Sequence, residues 1–371
     1  MPKDKKILFL FLACILSGGC SQQRILEEQA MVQATSFDLI KEETGTEPAK
    51  IRVSDALPQD RSTQKVLTAV ARSSKEARAK INSQTNLNIV SGQLRTFLFS
   101  ESLAKKGLLK YTDTLERDPA ISQQTNMVLV EGNAYKMLSG DYKQKEATYA
   151  YLDSLIEKAV KSGDIPESKL FHFVRSNVDE GTDPVMPILV KKKDHVDYNG
   201  LALFRDDRYI AKLSRDEGIL FSMMTENLDA GQINFELQAK KSRIPDFLAF
   251  ALLRTSRKVK VEYTADKKLK VNLRIKASGS IMEFIGDRSL KSAAARKRLE
   301  GEMEAYFERK ANRLIKVMQR EKADSLGLGQ YVRNSIGYSK WKEMNWRKEY
   351  SSIPISCQIE LAIKDFGKAA F

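Results

Sequence analysis

Histidine and cysteine are almost missing from this chain, which has two of the former and three of the latter among 371 residues. A His/Cys zinc cluster needs three or four such ligands converging on one point, so it is all but excluded. A Ser-His-Asp triad would have to use His172 or His195. His172 falls between Phe171 and Phe173, and His195 follows a lysine run, positions that suit a packed or a solvated imidazole. Cys14 and Cys20 belong to the first twenty residues, so Cys357 has no partner for an internal disulfide once Cys20 is modified. Its place on the apolar side of an alternating segment makes it an inert core thiol. Long apolar runs are missing too: residues 7–16 give about half the length a helix needs to cross the hydrocarbon core.

What that short run does is direct export. Lys3, Lys5 and Lys6 precede it, and Ser17-Gly18-Gly19 follow it as a small-residue ramp into Cys20. Small residues before a cysteine resemble a bacterial lipobox, with Leu16 one place ahead of the usual leucine. Cys20 is then the expected site of lipidation and the first residue of the mature chain, with residues 1–19 removed. Acyl burial contributes about 0.8 kcal/mol per CH₂, so two or three chains would hold the body at a bilayer almost permanently.

The chain is basic, with 62 Lys and Arg against 48 Asp and Glu. The signal takes three lysines and one aspartate with it and leaves a net charge of +12. On an exported protein this charge faces anionic lipid or an acidic partner. No basic tract is interleaved with aromatics as in a nucleic-acid surface. The length exceeds one typical core. We expect a signal peptide at 1–19, an N-terminal α/β domain at 20–193, a middle domain at 194–250 and a C-terminal domain at 251–371.

Strands are expected near residues 31–37 and 51–53, with a loop between them. Ser73 and Glu76 have the spacing of a capping box and open a helix. Strands at 94–99 and 127–130 alternate with helices at 100–107, 108–115, 134–138, 145–162 and 167–174, the rhythm of an α/β sheet. Residues 185–190 are expected as the last strand of that domain, with Lys191-Lys192-Lys193 as a solvated boundary. Asp206 and Asp207 mark a hairpin turn, followed by a helix over 214–224.

Farther on, Val259, Val261 and Tyr263 alternate with polar residues, as do Val271, Leu273, Ile275 and Ala277, and Cys357, Ile359, Leu361 and Ile363. This predicts a sheet with one dry and one wet face. A helix over 288–322 carries an apolar stripe of Leu299, Met303, Phe307, Ala311, Leu314 and Met318 that would cover the dry face. Gly327 and Gly329 are expected to cap its C-terminus. The wet face gathers Lys258, Lys260, Lys268, Lys270, Arg274 and Lys276, candidate contacts for anionic lipid or a membrane partner. The fold class is therefore mixed α/β (α+β) in three domains, the last an antiparallel-type sheet under one long helix. Trp341 and Trp346, set among lysines and arginines, are expected in the core.

Three stretches together resemble the Ger(x)C lipoproteins, the C subunits of germinant receptors of endospore-forming bacteria. They are residues 101–108 with 115–118, residues 200–204 with 211–213, and Asp324-Ser325-Leu326-Gly327-Leu328-Gly329 followed by Trp341 and Trp346. The resemblance spans nearly the whole mature chain, though Ser21-Gln22 and Ser36-Phe37-Asp38 depart from it. It implies a non-enzymatic subunit of three α/β domains without cofactors, lipid-anchored at the outer face of the spore inner membrane. It also implies assembly with two integral-membrane subunits, an A-type and a B-type. No catalytic residue carries over, and Cys20 is the one chemically defined site. The competing classes are a substrate-binding lipoprotein of an importer, which needs two similar lobes, and an envelope hydrolase working with two carboxylates.

Overall fold

A computed structural model describes residues 28–42, 49–60, 62–238, 245–263 and 268–366. The signal, Cys20 and the segment holding Gly45 and Pro48 lie outside these residues. The first half runs β1 (Gln29–Met31), β2 (Ala34–Lys41), β3 (Lys50–Pro58), β4 (Gln64–Ala71), α1 (Ser74–Asn82), β5 (Asn88–Val90), β6 (Thr96–Ser100), α2 (Glu101–Lys106) and α3 (Leu109–Glu116). It continues through β7 (Asn126–Glu131), α4 (Ala134–Leu138), α5 (Thr148–Lys161), α6 (Leu170–Val178), β8 (Val185–Lys191), β9 (Val196–Arg205) and β10 (Arg208–Leu213).

Eight of these strands form one sheet in the order β10-β9-β8-β7-β6-β2-β3-β4. Its centre is parallel and its two flanks antiparallel. Helices cover both faces. Phe37, Phe97, Phe99 and Leu129 pack under α1, α2, α3 and α6, while Leu98, Val128 and Val130 pack under α4 and α5. Because both faces are dry, the central strands are hydrophobic runs instead of alternations.

Three local expectations change here. Strand β4 lies where no element was expected. Ser73 caps α1 by accepting from Glu76 N at 3.2 Å, but the Glu76 carboxylate accepts from Arg72 N (2.9 Å), one residue before the position a capping box uses. Strand β8 is not the last of its sheet: the lysine run forms a tight turn, Lys192 N to His195 O at 2.9 Å, and β9 pairs straight back on β8. The boundary expected at 193/194 thus falls between two hydrogen-bonded strands.

The second half holds α7 (Arg215–Thr225), β11 (Gly231–Leu237), β12 (Asp246–Tyr263), β13 (Leu269–Ile285), α8 (Ala293–Glu321), α9 (Leu328–Ile336), α10 (Tyr338–Glu343), α11 (Trp346–Tyr350) and β14 (Ile355–Asp365). Its sheet has the order β11-β12-β13-β14. The expected boundary at 250/251 therefore lies inside β12. A separate middle domain at 194–250 does not form, since β9 and β10 join the first sheet and β11 the second. The first two pairings are antiparallel, and β14 lies parallel to β13, with α8 in the crossover between them. The apolar stripe of α8 is buried on this sheet throughout, from Leu299 to Met318. Its length, about 44 Å at 1.5 Å per residue, spans the sheet.

Helix α8 also closes the sheet's edge. Glu300, Glu304, Glu308 and Asn312, four residues apart, accept the outward N–H groups of Ile363, Leu361, Ile359 and Cys357 at 2.8 to 3.0 Å. Four helical residues rise about 6 Å and two strand residues about 6.6 Å, so the two ladders stay in step over four rungs. An edge strand's free donors are a template for another chain, and here they are occupied.

Candidate functional site at the junction of the two sheets

The chain's most distinctive motif forms the seam between its halves. Helix α8 stops at Lys322, which takes a left-handed conformation (φ 55°), and Gly327 (φ 64°) then opens α9. Gly327 and Gly329 thus begin a helix instead of capping the end of one, a correction to the expectation from sequence. The exposed amides of that helix start attract an anion, and the anion is the chain's own Asp324. Its carboxylate accepts from Leu328 N (3.0 Å), Gly329 N (2.7 Å) and Trp346 Nε1 (3.1 Å).

From the first half, Asp183 meets Asp324 reciprocally. Asp183 N donates to Asp324 O at 3.0 Å, and Asp324 N donates to Asp183 Oδ2 at 2.7 Å. Asp183 also accepts from Asp206 N (2.9 Å), and Arg347 bridges to Asp206 at 2.7 and 3.0 Å. Just ahead, Asp179 accepts from Arg333 and Gln330, both at 2.7 Å, and Glu180 accepts from Trp341 Nε1 (2.6 Å) and Lys342 (3.1 Å). Gly181 and Gly329 touch backbone to backbone. A Cβ on Gly329 would lie 2.5 Å from Gly181 Cα and closer still to the Trp346 indole, so no larger residue fits.

Both tryptophans are buried as expected, their rings 5.6 Å apart. Burial pushes the Asp324 carboxyl up to about 7, against the pull of its three N–H donors, and raises Asp183 as well. The Trp341 and Lys342 hydrogen bonds hold Glu180 below its usual range. Sequence reasoning placed no candidate among residues 179–183. The signal it passed over is an acidic cluster before a proline, matched by Arg333, Lys342 and Arg347 more than 150 residues later.

The same self-occupation recurs at other helix starts. Asp38, buried and raised by that burial, accepts from Ala134 N (2.7 Å) and Tyr135 N (2.8 Å) at the start of α4. Asp207 accepts from Leu109 N at 2.8 Å at the start of α3. Places where an α/β sheet could cradle a phosphate hold the chain's own carboxylates.

The remaining candidates are scattered. His172 is half-buried and its pKa lowered by that burial; His195 is exposed beside Asp194, which raises it. Cys357 is buried against α8, its thiol pushed up to about 12. On the wet face, Lys258 lies opposite Arg274, and Lys260 opposite Asn272, in the β12–β13 hairpin. Acidic neighbours share that face: Lys260 pairs with Glu262 (2.5 Å), and Lys276 and Arg274 with Glu360 (3.0 and 3.6 Å). Lys270 stands opposite Glu262, half-buried. Cys20 lies outside the described residues. Among them, no helix is long and apolar enough to cross a membrane.

The geometry defines an α/β protein of two large sheets, clamped across its middle by its own most distinctive residues. Known proteins share that architecture. A family described as spore germination protein N-terminal domain matches residues 22–191, and one described as spore germination B3/GerAC like, C-terminal, matches residues 199–367. The chain belongs to this Ger(x)C family, the C subunits of germinant receptors. Spore germination protein GerQC of Bacillus cereus is 25% identical over 97% of this chain and 98% of its own length. The putative spore germination protein YfkR of Bacillus subtilis (strain 168) is 23% identical over 94% of each. The crystal structure of the GerBC protein has the same fold, with a TM-score of 0.59 and 17% identity over 88% of this chain and 97% of that one.

Proposed function

We propose that this chain is the lipid-anchored, non-enzymatic C subunit of a spore germinant receptor, working as a scaffold beside two integral-membrane subunits at the outer face of the spore inner membrane. The observation that carries this reading is the use made of the 324–329 motif and the two tryptophans. They join one half of the molecule to the other with hydrogen-bonded carboxylates. Anchoring rests on the sequence around Cys20, where the acyl chains would supply the membrane affinity. The strip of Lys258, Lys260, Lys270, Arg274 and Lys276 would face anionic lipid or an acidic loop of a membrane subunit, its field moderated by Glu262 and Glu360.

Detergent phase partitioning tests the anchor. The wild type should enter the detergent phase and the Cys20→Ala protein should stay in the aqueous phase while remaining folded; partitioning of both into detergent would remove the lipobox. Assembly is tested by co-purification with the two membrane subunits from spores. The basic strip is tested by replacing Lys258, Lys260, Lys270 and Lys276 with Glu in the Cys20→Ala protein. Co-sedimentation with anionic vesicles should fall at low salt and be weak for both proteins at high salt.

A further inference from the structure

Between the junction and α7 the two sheets leave a cleft of about 440 Å³, a volume that suits a small molecule. Phe173 and Val185 from the first half, with Phe221, Leu326 and Tyr331 from the second, give it apolar walls. Arg257 of β12 lines it as well, with no carboxylate of the described residues within 4.0 Å of its guanidinium. Its Nη1 donates to Thr225 O (3.0 Å) and to the Tyr331 hydroxyl (3.3 Å) and its Nη2 to Leu326 O (2.9 Å), but its Nε–H is buried and has no partner. Ser325, the residue beside Leu326 and 7% exposed, lines the cleft with a buried hydroxyl that is also unpartnered. Two orphaned donors therefore belong to residues that line the cleft, one of them on a guanidinium that lies over the Tyr331 ring (5.2 Å) and has no carboxylate of the described residues within 4.0 Å; buried donors left unmade are costly. Glu167 and Glu226 line the same cleft, where their mutual repulsion adds to burial in lifting Glu226. A dianion would meet that repulsion; a monoanion reaching only the Arg257 end would not.

We propose that this cleft binds a small monocarboxylate with a compact hydrocarbon body, the carboxylate between Arg257 Nε and a Ser325 hydroxyl turned toward it, the body against Val185 and Tyr331. The proposal goes beyond the scaffold role and does not depend on the anchor. Both halves contribute walls, so an occupant would also brace the seam at Asp183 and Ser325.

Isothermal titration of the full lipid-bearing protein in detergent, with butyrate and benzoate as probes and butylamine and inorganic phosphate as contrasts, tests it. Saturable one-site binding of a carboxylate probe is expected, with none for the amine or for phosphate. Ser325→Ala, which breaks no hydrogen bond of the fold, should weaken carboxylate binding about fivefold at an unchanged melting temperature. Arg257→Gln should abolish it. Since Arg257 also ties two loops, the Ser325→Ala result decides the matter if that second protein fails to fold. Absence of saturable binding by both carboxylates, equal affinity in wild type and Ser325→Ala, or phosphate binding as tightly as butyrate would each overturn the proposal.

Discussion

Strands β7 and β13 sit near the middle of their sheets and are built by opposite rules. On β7, Val128 and Val130 face one helical layer and Leu129 the other, and all three are buried. On β13, Val271, Leu273, Ile275 and Ala277 are buried while Arg274 and Lys276 between them stand in water. The number of covered faces, more than strand propensity, sets the pattern a sequence shows.

The strongest test of that comparison puts a charge on each face of β7. Val128→Asp and Leu129→Asp should both unfold the first half, each costing about 4 kcal/mol or more, because a carboxylate on either side has no partner and no water. Urea denaturation followed by circular dichroism reads the loss. If one of the two proteins kept wild-type stability, that face of the first sheet would be wet. In the second half the covered face should respond nearly as strongly: Phe307→Ala, at the centre of the α8 stripe, should cost about 3 to 5 kcal/mol. A stripe that served a bilayer instead would leave the melting temperature of the Cys20→Ala protein unchanged.

The seam between the halves comes next. Asp324→Ala orphans Leu328 N, Gly329 N and the Trp346 indole N–H and should cost about 3 kcal/mol. Near-wild-type stability would mean that water replaces the carboxylate. A smaller, pH-dependent effect follows from the same residue. Asp324 titrates at about 7 in the fold against an ordinary 3.8, so the folded state holds the proton more tightly than the unfolded one. That contribution is complete below about pH 4 and is lost as pH rises through 7; Asp183, also raised, acts in the same direction. Urea midpoints should be lower at pH 8 than at pH 5.5, and Asp324→Asn should narrow the gap. Smallest of all, Arg274→Gln on the wet face should stay within about 0.5 kcal/mol of wild type.

The second sheet and its long helix were legible because their periodicity is local: one face wet, one dry, over segments of a dozen residues. Much of the first half was legible from capping serines and stop glycines such as Ser73 and Gly107. Strand β4 was not, because its inward residues are Leu67, Ala69 and Ala71, and two alanines give little contrast against their neighbours. The pairing of β8 with β9 was not legible, because a lysine-rich hairpin turn looks like a linker until the strands across it are known. Of the seam, the 324–329 stretch and the tryptophans stood out in the sequence. Their partners at 179–183 did not, since contacts made across 150 residues leave no periodic trace. Gly327 was misread for a related reason: a left-handed glycine serves either end of a helix, and what lies on its far side decides which.

The rungs that α8 lends to β14 bear on the order in which the molecule can assemble. Strand β14 joins β13 only after some 70 intervening residues have been laid down, and a parallel pairing at that separation forms slowly. Until then the β12–β13 hairpin presents an unpaired edge and a bare apolar face, the combination through which exported chains stick to one another. A helix that carries its acceptors at the spacing of a strand turns one docking event into two, burying the face and closing the edge together. Chains truncated before residue 355 should therefore be recovered as aggregates, and the interval before arrival of the last strand is when a chaperone would matter most.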